Sequence, residues 1–251
     1  MANKIEPINI FDFDGTLTTE TWPKCLAWVN KFGYQGEQRN DKLEQALAKY
    51  REKHVGEPLE TFFAFFNDLI VSNNGAITTE ELMQGEKYIK YNKGLNEYIQ
   101  NTNIKNYIVS ASLKEFLDHL KDIENFDGIY GTSVRHDKSW RIIGIDDVMT
   151  DDKKILAICN ILKTNNRSGN DCRNVCYIGD GYSDAAAMKF VHDNGGKAIF
   201  VHQPNKNDEL SSDINKVYEL LKAEGIVDFC CPADYREGST LSNILLRKTG
   251  K

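Results

Sequence analysis

At 251 residues, with 41% hydrophobic and 27% charged side chains, the chain is long enough for one large domain, or one domain with a sizeable insertion, around a real core. Its 37 acidic against 31 basic residues give a net charge of -6 without a basic patch or arginine-rich arm, which disfavours nucleic acid as main partner and favours a small substrate. Glu6, Pro7 and Asp12 interrupt the N-terminus where a signal peptide needs unbroken apolarity, and the most apolar later window, FFAFFNDLIV at 62–71, is too short to span a bilayer. No membrane association is expected, and the cytoplasm is the expected compartment.

The first element, PINIFDFD at 7–14, reads as a strand whose apolar run closes on two acids, Asp12 and Asp14. The stretch that follows, 17–103, holds helical patterns and no convincing strand: TWPKCLAWVNKFG, DKLEQALAKYREKH, PLETFFAFFNDLIV and TTEELMQGEKYIKYNKGLNEYIQ. It is read as an inserted helical subdomain. Phe62, Phe63, Phe65 and Phe66 could line a pocket there, though packing among the inserted helices is the commoner explanation.

KNYIVSAS at 105–112 is the next strand, and SLKEFLDHLKDI at 112–123 spaces Leu113, Phe116, Leu117, Leu120 and Ile123 as a helix with Ser112 at its N-cap. FDGIYGTSVRHDKSWRIIGI at 126–145 suggests a short β excursion turning near His136 to Ser139. Then helices at KKILAICNILK, SDAAAMKFVHD and DELSSDINKVYELLKAEG alternate with strands at NVCYIGDG, KAIFVHQ and GIVDFCC. Apolar strands alternating with amphipathic helices predict an α/β fold: a doubly wound, Rossmann-like parallel sheet in residues 1–16 and 104–251, with 17–103 as the all-helical insertion.

In such a sheet ligands bind beyond the carboxyl ends of the strands, so Asp12, Asp14, Ser110, Asp180 and Asp184 should converge. Four carboxylates that close cannot all stay ionised without a cation; a hard divalent ion with oxygen ligands, Mg²⁺ foremost, answers that. Lys153 and Lys154 open a helix, and either could bring a fixed positive charge to an anionic substrate. From Lys154 the positions three, four and seven further on are Ala157, Ile158 and Ile161, an apolar stripe; from Lys153 they are Leu156, Ala157 and Asn160, so Lys154 is favoured. Simpler readings stand beside these: a structural turn at Asp12–Asp14, an ordinary loop at Asp180, a dipole-favoured acid at Asp184, a strand-end hydroxyl or cap at Ser110. The six cysteines and five histidines lack metal-ligand spacing, so a zinc site is not expected.

DFDGTLT, IVSAS, KKILAI and YIGDGYSDAAAM, in that order, resemble the four motifs of the haloacid dehalogenase superfamily, specifically its aspartate-dependent phosphatases. The helical insertion resembles that superfamily's cap, and the whole is similar to the phosphoserine phosphatase-like branch. The resemblance implies Asp12 as nucleophile, Asp14 as acid and base, Ser110 as donor to a phosphoryl oxygen, and Lys154 as the countercharge. It implies Mg²⁺ held by the carboxylates of Asp12 and Asp180 and the backbone carbonyl of Asp14, with Asp184 as a further ligand or support. Asp14 argues for phosphate esters over halides, because an alkoxide needs a proton on leaving and a halide does not.

The expected function is Mg²⁺-dependent hydrolysis of a small phosphomonoester through an aspartyl-phosphate. Phosphomutase or phosphotransferase chemistry, and a catalytically silent binding protein on the same fold, are the alternatives. Glu20 falls one residue short of the phosphoserine phosphatases' acidic position, so phosphoserine is not claimed. Arg39, Lys42, Arg51, Arg135 and His136 are candidates for a second anionic group. The sequence carries no signal for oligomeric state.

Overall fold

The computed structural model describes residues 5–19, 22–72, 75–203 and 210–247. Seven strands, β1 (Ile8–Phe11), β2 (Lys105–Leu113), β3 (Gly128–His136), β4 (Ile142–Asp147), β5 (Val175–Gly179), β6 (Lys197–His202) and β7 (Phe229–Pro232), form one sheet in the order β4-β3-β2-β1-β5-β6-β7. Every neighbouring pair is parallel except β3 and β4. The helices are α1 (Arg39–Lys53), α2 (Pro58–Ser72), α3 (Thr79–Leu82), α4 (Leu95–Asn101), α5 (Lys114–Leu117), α6 (Asp151–Thr164), α7 (Ala185–Asp193), α8 (Ser212–Ala223) and α9 (Thr240–Leu245). Among the described residues no helix is long and apolar enough to cross a membrane.

The sheet is doubly wound. From β1 at its centre the chain steps outward through β2 and β3, then crosses back to β5 on the other side and continues to β7, so the strand order reverses between β1 and β5. Alternation along β1 sends Ile8 and Ile10 to one face, where Ile158 and Ile161 of α6, Met188 of α7 and Leu221 of α8 cover them. Phe11 goes to the other face with Phe116, Tyr98 and Leu241.

Three features depart from the sequence expectation or refine it. The helix expected over 112–123 is reduced to one α turn, α5, and a 3-10 turn at Lys121–Ile123, because β2 runs on through Leu113, whose backbone pairs with Thr132 of β3 after a register shift. Ser112 is therefore a buried strand residue and not a helix cap. The β excursion is joined to the main sheet: the first half of β3 pairs with β2 and the second half turns antiparallel with β4.

Between β1 and β2 the described residues up to Tyr88 form 3-10 turns and α1 to α3, while α4 lies on the sheet, its Tyr98 hydroxyl accepting from Asn9 Nδ2 at 2.6 Å and donating to Asn106 Oδ1 at 3.2 Å. The chain entering and the chain leaving the insertion run side by side. Thr19 N donates to Lys90 O at 2.8 Å and Asn92 N to Leu17 O at 2.9 Å.

Candidate active site

The reversal of strand order opens a crevice at the carboxyl ends of β1 and β5, and both strands end there in acids. Asp12 N donates to Ile178 O at 2.9 Å, which fixes the first acid against β5. The chain then has to turn away at once. Gly15 does this with φ +73°, and a Cβ there would lie 1.9 Å from Asp180 Oδ2, so the backbone passes directly against the second acid. A Cβ on Gly179 would likewise lie 2.5 Å from Asp184 Oδ2. Polar side chains strap the loop after β1 from three directions: Asn92 Nδ2 and the Tyr235 hydroxyl donate to Thr16 O at 2.8 and 2.9 Å, and Gln203 Nε2 donates to Gly15 O at 2.8 Å.

Asp12, Asp180 and Asp184 each present an oxygen within 4.8 Å of the other two. Lys154 enters this group from the first turn of α6, its Nζ 3.3 Å from Asp12 Oδ1 and 2.7 Å from Asp184 Oδ1. The stripe Ala157, Ile158 and Ile161 is buried behind it, so packing of the helix aims the ammonium. Lys153 points elsewhere, to Asp147 Oδ1 and Val148 O. The Tyr177 hydroxyl donates to Asp184 Oδ1 at 2.8 Å, whereas Asp184 Oδ2 is buried and has no hydrogen-bond partner.

Burial pushes the Asp12 carboxyl up to about 7; Lys154 opposes this, while Asp184 and Asp14 reinforce it. Desolvation, with Asp184, Asp12 and Asp14 nearby, holds Asp180 well above the usual carboxylate range. Burial alone would lower Lys154, but Asp12 and Asp184 outweigh it and keep the ammonium charged. One cation among three carboxylates leaves negative charge in excess, and one buried carboxylate oxygen is orphaned. A hard divalent cation fits this donor set, all oxygen and clustered, better than the lysine alone does.

Asp14 is not one of that group of three. Its Oδ2 accepts from the Ser112 hydroxyl at 2.6 Å, and Ser112 Oγ in turn lies 3.3 Å from the Ser110 hydroxyl. Ser110 and Ser112, both buried, thus link the two motifs through one hydrogen-bonded chain to Asp14. Ser112 and Tyr177 are the site residues sequence reasoning missed: the first reads as a helix cap, the second as part of an apolar strand.

A cavity of about 410 Å³ opens beside Asp14, between the core and α1 and α2, with Phe62 and Phe63 in its wall. All four phenylalanines are packed in the core, and Phe65 and Phe66 do not line the cavity. Of the basic candidates, Arg51 alone reaches this cavity; Arg39 lies over the Trp28 ring, Lys42 donates to Gln35 O, and His136 pairs with Glu115. Glu20 lies outside the described residues. A larger cleft of about 820 Å³ beside α4 and α9 contains none of the four site aspartates.

Three aspartates and one buried lysine gather where the strand order of a doubly wound sheet reverses, and the fold is that of a hydrolase of the α/β class. The chain belongs to the haloacid dehalogenase-like hydrolase family, whose model matches residues 10–189. Several solved structures share the fold over nearly the whole chain. A hydrolase of the same family from Salmonella enterica subsp. enterica serovar Typhi is 16% identical, with a TM-score of 0.64 over 98% of this chain and 72% of that one. A phosphoserine phosphatase in its apo form is 15% identical, with a TM-score of 0.61 over 98% and 100%. Cytosolic 5'-nucleotidase IIIB bound to cytidine is 12% identical, with a TM-score of 0.59 over 96% and 84%. At these identities the likeness establishes the fold. No curated protein matches the chain significantly.

Proposed function

We infer that the protein is a Mg²⁺-dependent phosphatase that hydrolyses a small phosphomonoester, with Asp12 as nucleophile. The observation that carries this reading is the division of labour between two neighbouring acids: Asp12 faces Lys154, while Asp14 faces a hydroxyl donor and the cavity. Asp12 attacks phosphorus, the ester P–O bond breaks, and protonated Asp14 gives its proton to the departing oxygen. Asp14 then takes a proton from water as that water attacks the aspartyl-phosphate, which releases phosphate and restores Asp12. Ser110 donates to a phosphoryl oxygen, and the Lys154 ammonium offsets the charge that develops there.

Asp12, Asp180 and the backbone carbonyl of Asp14 would hold the metal, with the orphaned Asp184 oxygen as a further ligand or support. Bound Mg²⁺ supplies the positive charge that lets these carboxylates stay ionised beside an anionic substrate. Residues 17–103 serve as the cap over the 1–16 and 104–251 core, with α4 as the part docked on the sheet, and the cytoplasm is the proposed compartment.

Phosphate release from 4-nitrophenyl phosphate tests the reading. Turnover is expected to require Mg²⁺, to stop in chelator, and to fall by at least about a thousandfold in Asp12→Asn, the scale at which nucleophile loss removes covalent catalysis. A folded wild type inactive across a broad phosphomonoester panel would sink it.

A further inference from the structure

The cavity beside Asp14 has a chemical character that the phosphatase reading leaves open. Its wall is built from Leu43 and Leu47 of α1 and Leu59, Phe62 and Phe63 of α2. Leu43, Phe62 and Phe63 are buried, and Leu47 and Leu59 are half-buried. Charged residues other than Asp14 complete the lining: Glu44 and Arg51 are exposed, and Lys24 is half-buried. The volume of about 410 Å³ lies within the range of small-molecule pockets. An apolar cavity of roughly 150 Å³ already holds benzene, so this one has room for more than a single ring.

We propose that this pocket receives an apolar leaving group, so that the substrate class is the phosphomonoester of a hydrophobic alcohol, a medium-chain alkyl or fused-ring aryl alcohol. The proposal rests on the phosphatase reading above. The aliphatic and aromatic side chains that make up most of the lining offer no partner to the hydroxyls of a sugar or the ammonium and carboxylate of an amino acid, and the charged groups Glu44 and Arg51 are exposed to solvent. A polyol or zwitterion held against this apolar wall would surrender its hydration without replacement. An alkyl chain there loses only its contact with water, and each buried methylene favours binding. Asp14 at the inner end meets the ester oxygen, and the exposed charges of α1 meet solvent or the polar end of a longer substrate.

Kinetics with n-alkyl phosphates from butyl to octyl test the proposal on the wild-type protein with Mg²⁺. These alcohols have nearly the same acidity, so differences in kcat/KM report the pocket and not leaving-group chemistry. The expected result is a rise of about fourfold per methylene until the cavity is full, the ratio that burial of one methylene gives. 1-Naphthyl phosphate should exceed phenyl phosphate, and both should exceed O-phosphoserine and glucose 6-phosphate. Leu47→Asn and Leu59→Asn, at half-buried positions, should each flatten the chain-length slope. A flat or falling slope, or preference for O-phosphoserine or glucose 6-phosphate, overturns the apolar pocket while leaving the phosphatase reading intact. Absence of turnover with every ester overturns both.

Discussion

Lys154 is 2% exposed and its ammonium has two carboxylate partners, Asp12 and Asp184, of which Asp184 is fully buried. Such an arrangement is stable only as a set, because removing one member leaves its partners as uncompensated buried charge. Lys154→Met keeps most of the volume and the helical propensity of α6 but deletes the cation. Breaking a buried pair in this way costs about 3–5 kcal/mol. In chelator the variant should unfold at markedly lower denaturant concentration than wild type, and Mg²⁺ should recover part of the difference by supplying the missing charge. The corresponding change at Lys153, which is bonded to Asp147 and Val148 near the surface, should cost less than about 1 kcal/mol. Equal losses in the two variants would show that the ammonium is not what neutralises Asp12 and Asp184.

At the scale of elements, the length of β2 decides what Asp14 can do. Had the strand stopped at Ser110, Ser112 would cap a helix. By running on to Leu113, it points the Ser112 hydroxyl at a carboxylate 98 residues earlier in the chain. An acid that protonates a leaving group must be held in place, and its benefit is greatest when that group is a poor one. Ser112→Ala should therefore lower kcat about tenfold with an alkyl phosphate and less than about twofold with 4-nitrophenyl phosphate, whose anion needs no proton. An equal loss on both would reduce Ser112 to packing.

This strand also marks the limit of what the sequence reveals. The clustering of Asp12, Asp180 and Asp184 is legible because each lies at or just beyond the end of an apolar run, and the side of α6 that Lys154 shares with Ala157 and Ile161 is legible from spacing. Ser112 is not, since Ser-Leu-Lys-Glu-Phe-Leu satisfies helix spacing locally and only the partners Asp14 and Thr132, distant in sequence, override it. Tyr177 is hidden for a related reason: a tyrosine in a buried strand looks like core until Asp184 is found at its hydroxyl.

Across the whole molecule, two populations of carboxylates pull the pH dependence of stability in opposite directions. Away from the site, Asp171 hydrogen-bonds Arg173 Nε and Nη2 at 2.7 and 2.8 Å, which lowers its carboxyl to about 2; arginine neighbours lower Asp137 and Asp234 as well. A carboxylate with a depressed folded-state pKa stabilises the protein above its unfolded value, near 4, and that contribution is lost as pH falls through about 2. At the site the sign reverses. Burial raises Asp12 to about 7 and Asp180 well above the usual range, so between roughly pH 4 and 7 the metal-free folded protein holds protons that the unfolded chain releases. Stability in chelator should accordingly climb from about pH 2 to about pH 4 and decline from there toward pH 7. Mg²⁺ needs the ionised carboxylates, so its stabilisation should grow over the same interval in which the metal-free protein weakens. Thermal melts from pH 3 to 8, with chelator and with Mg²⁺, should diverge progressively above about pH 4. Parallel curves would mean that the buried aspartates titrate alike in both forms, which is incompatible with their holding the metal.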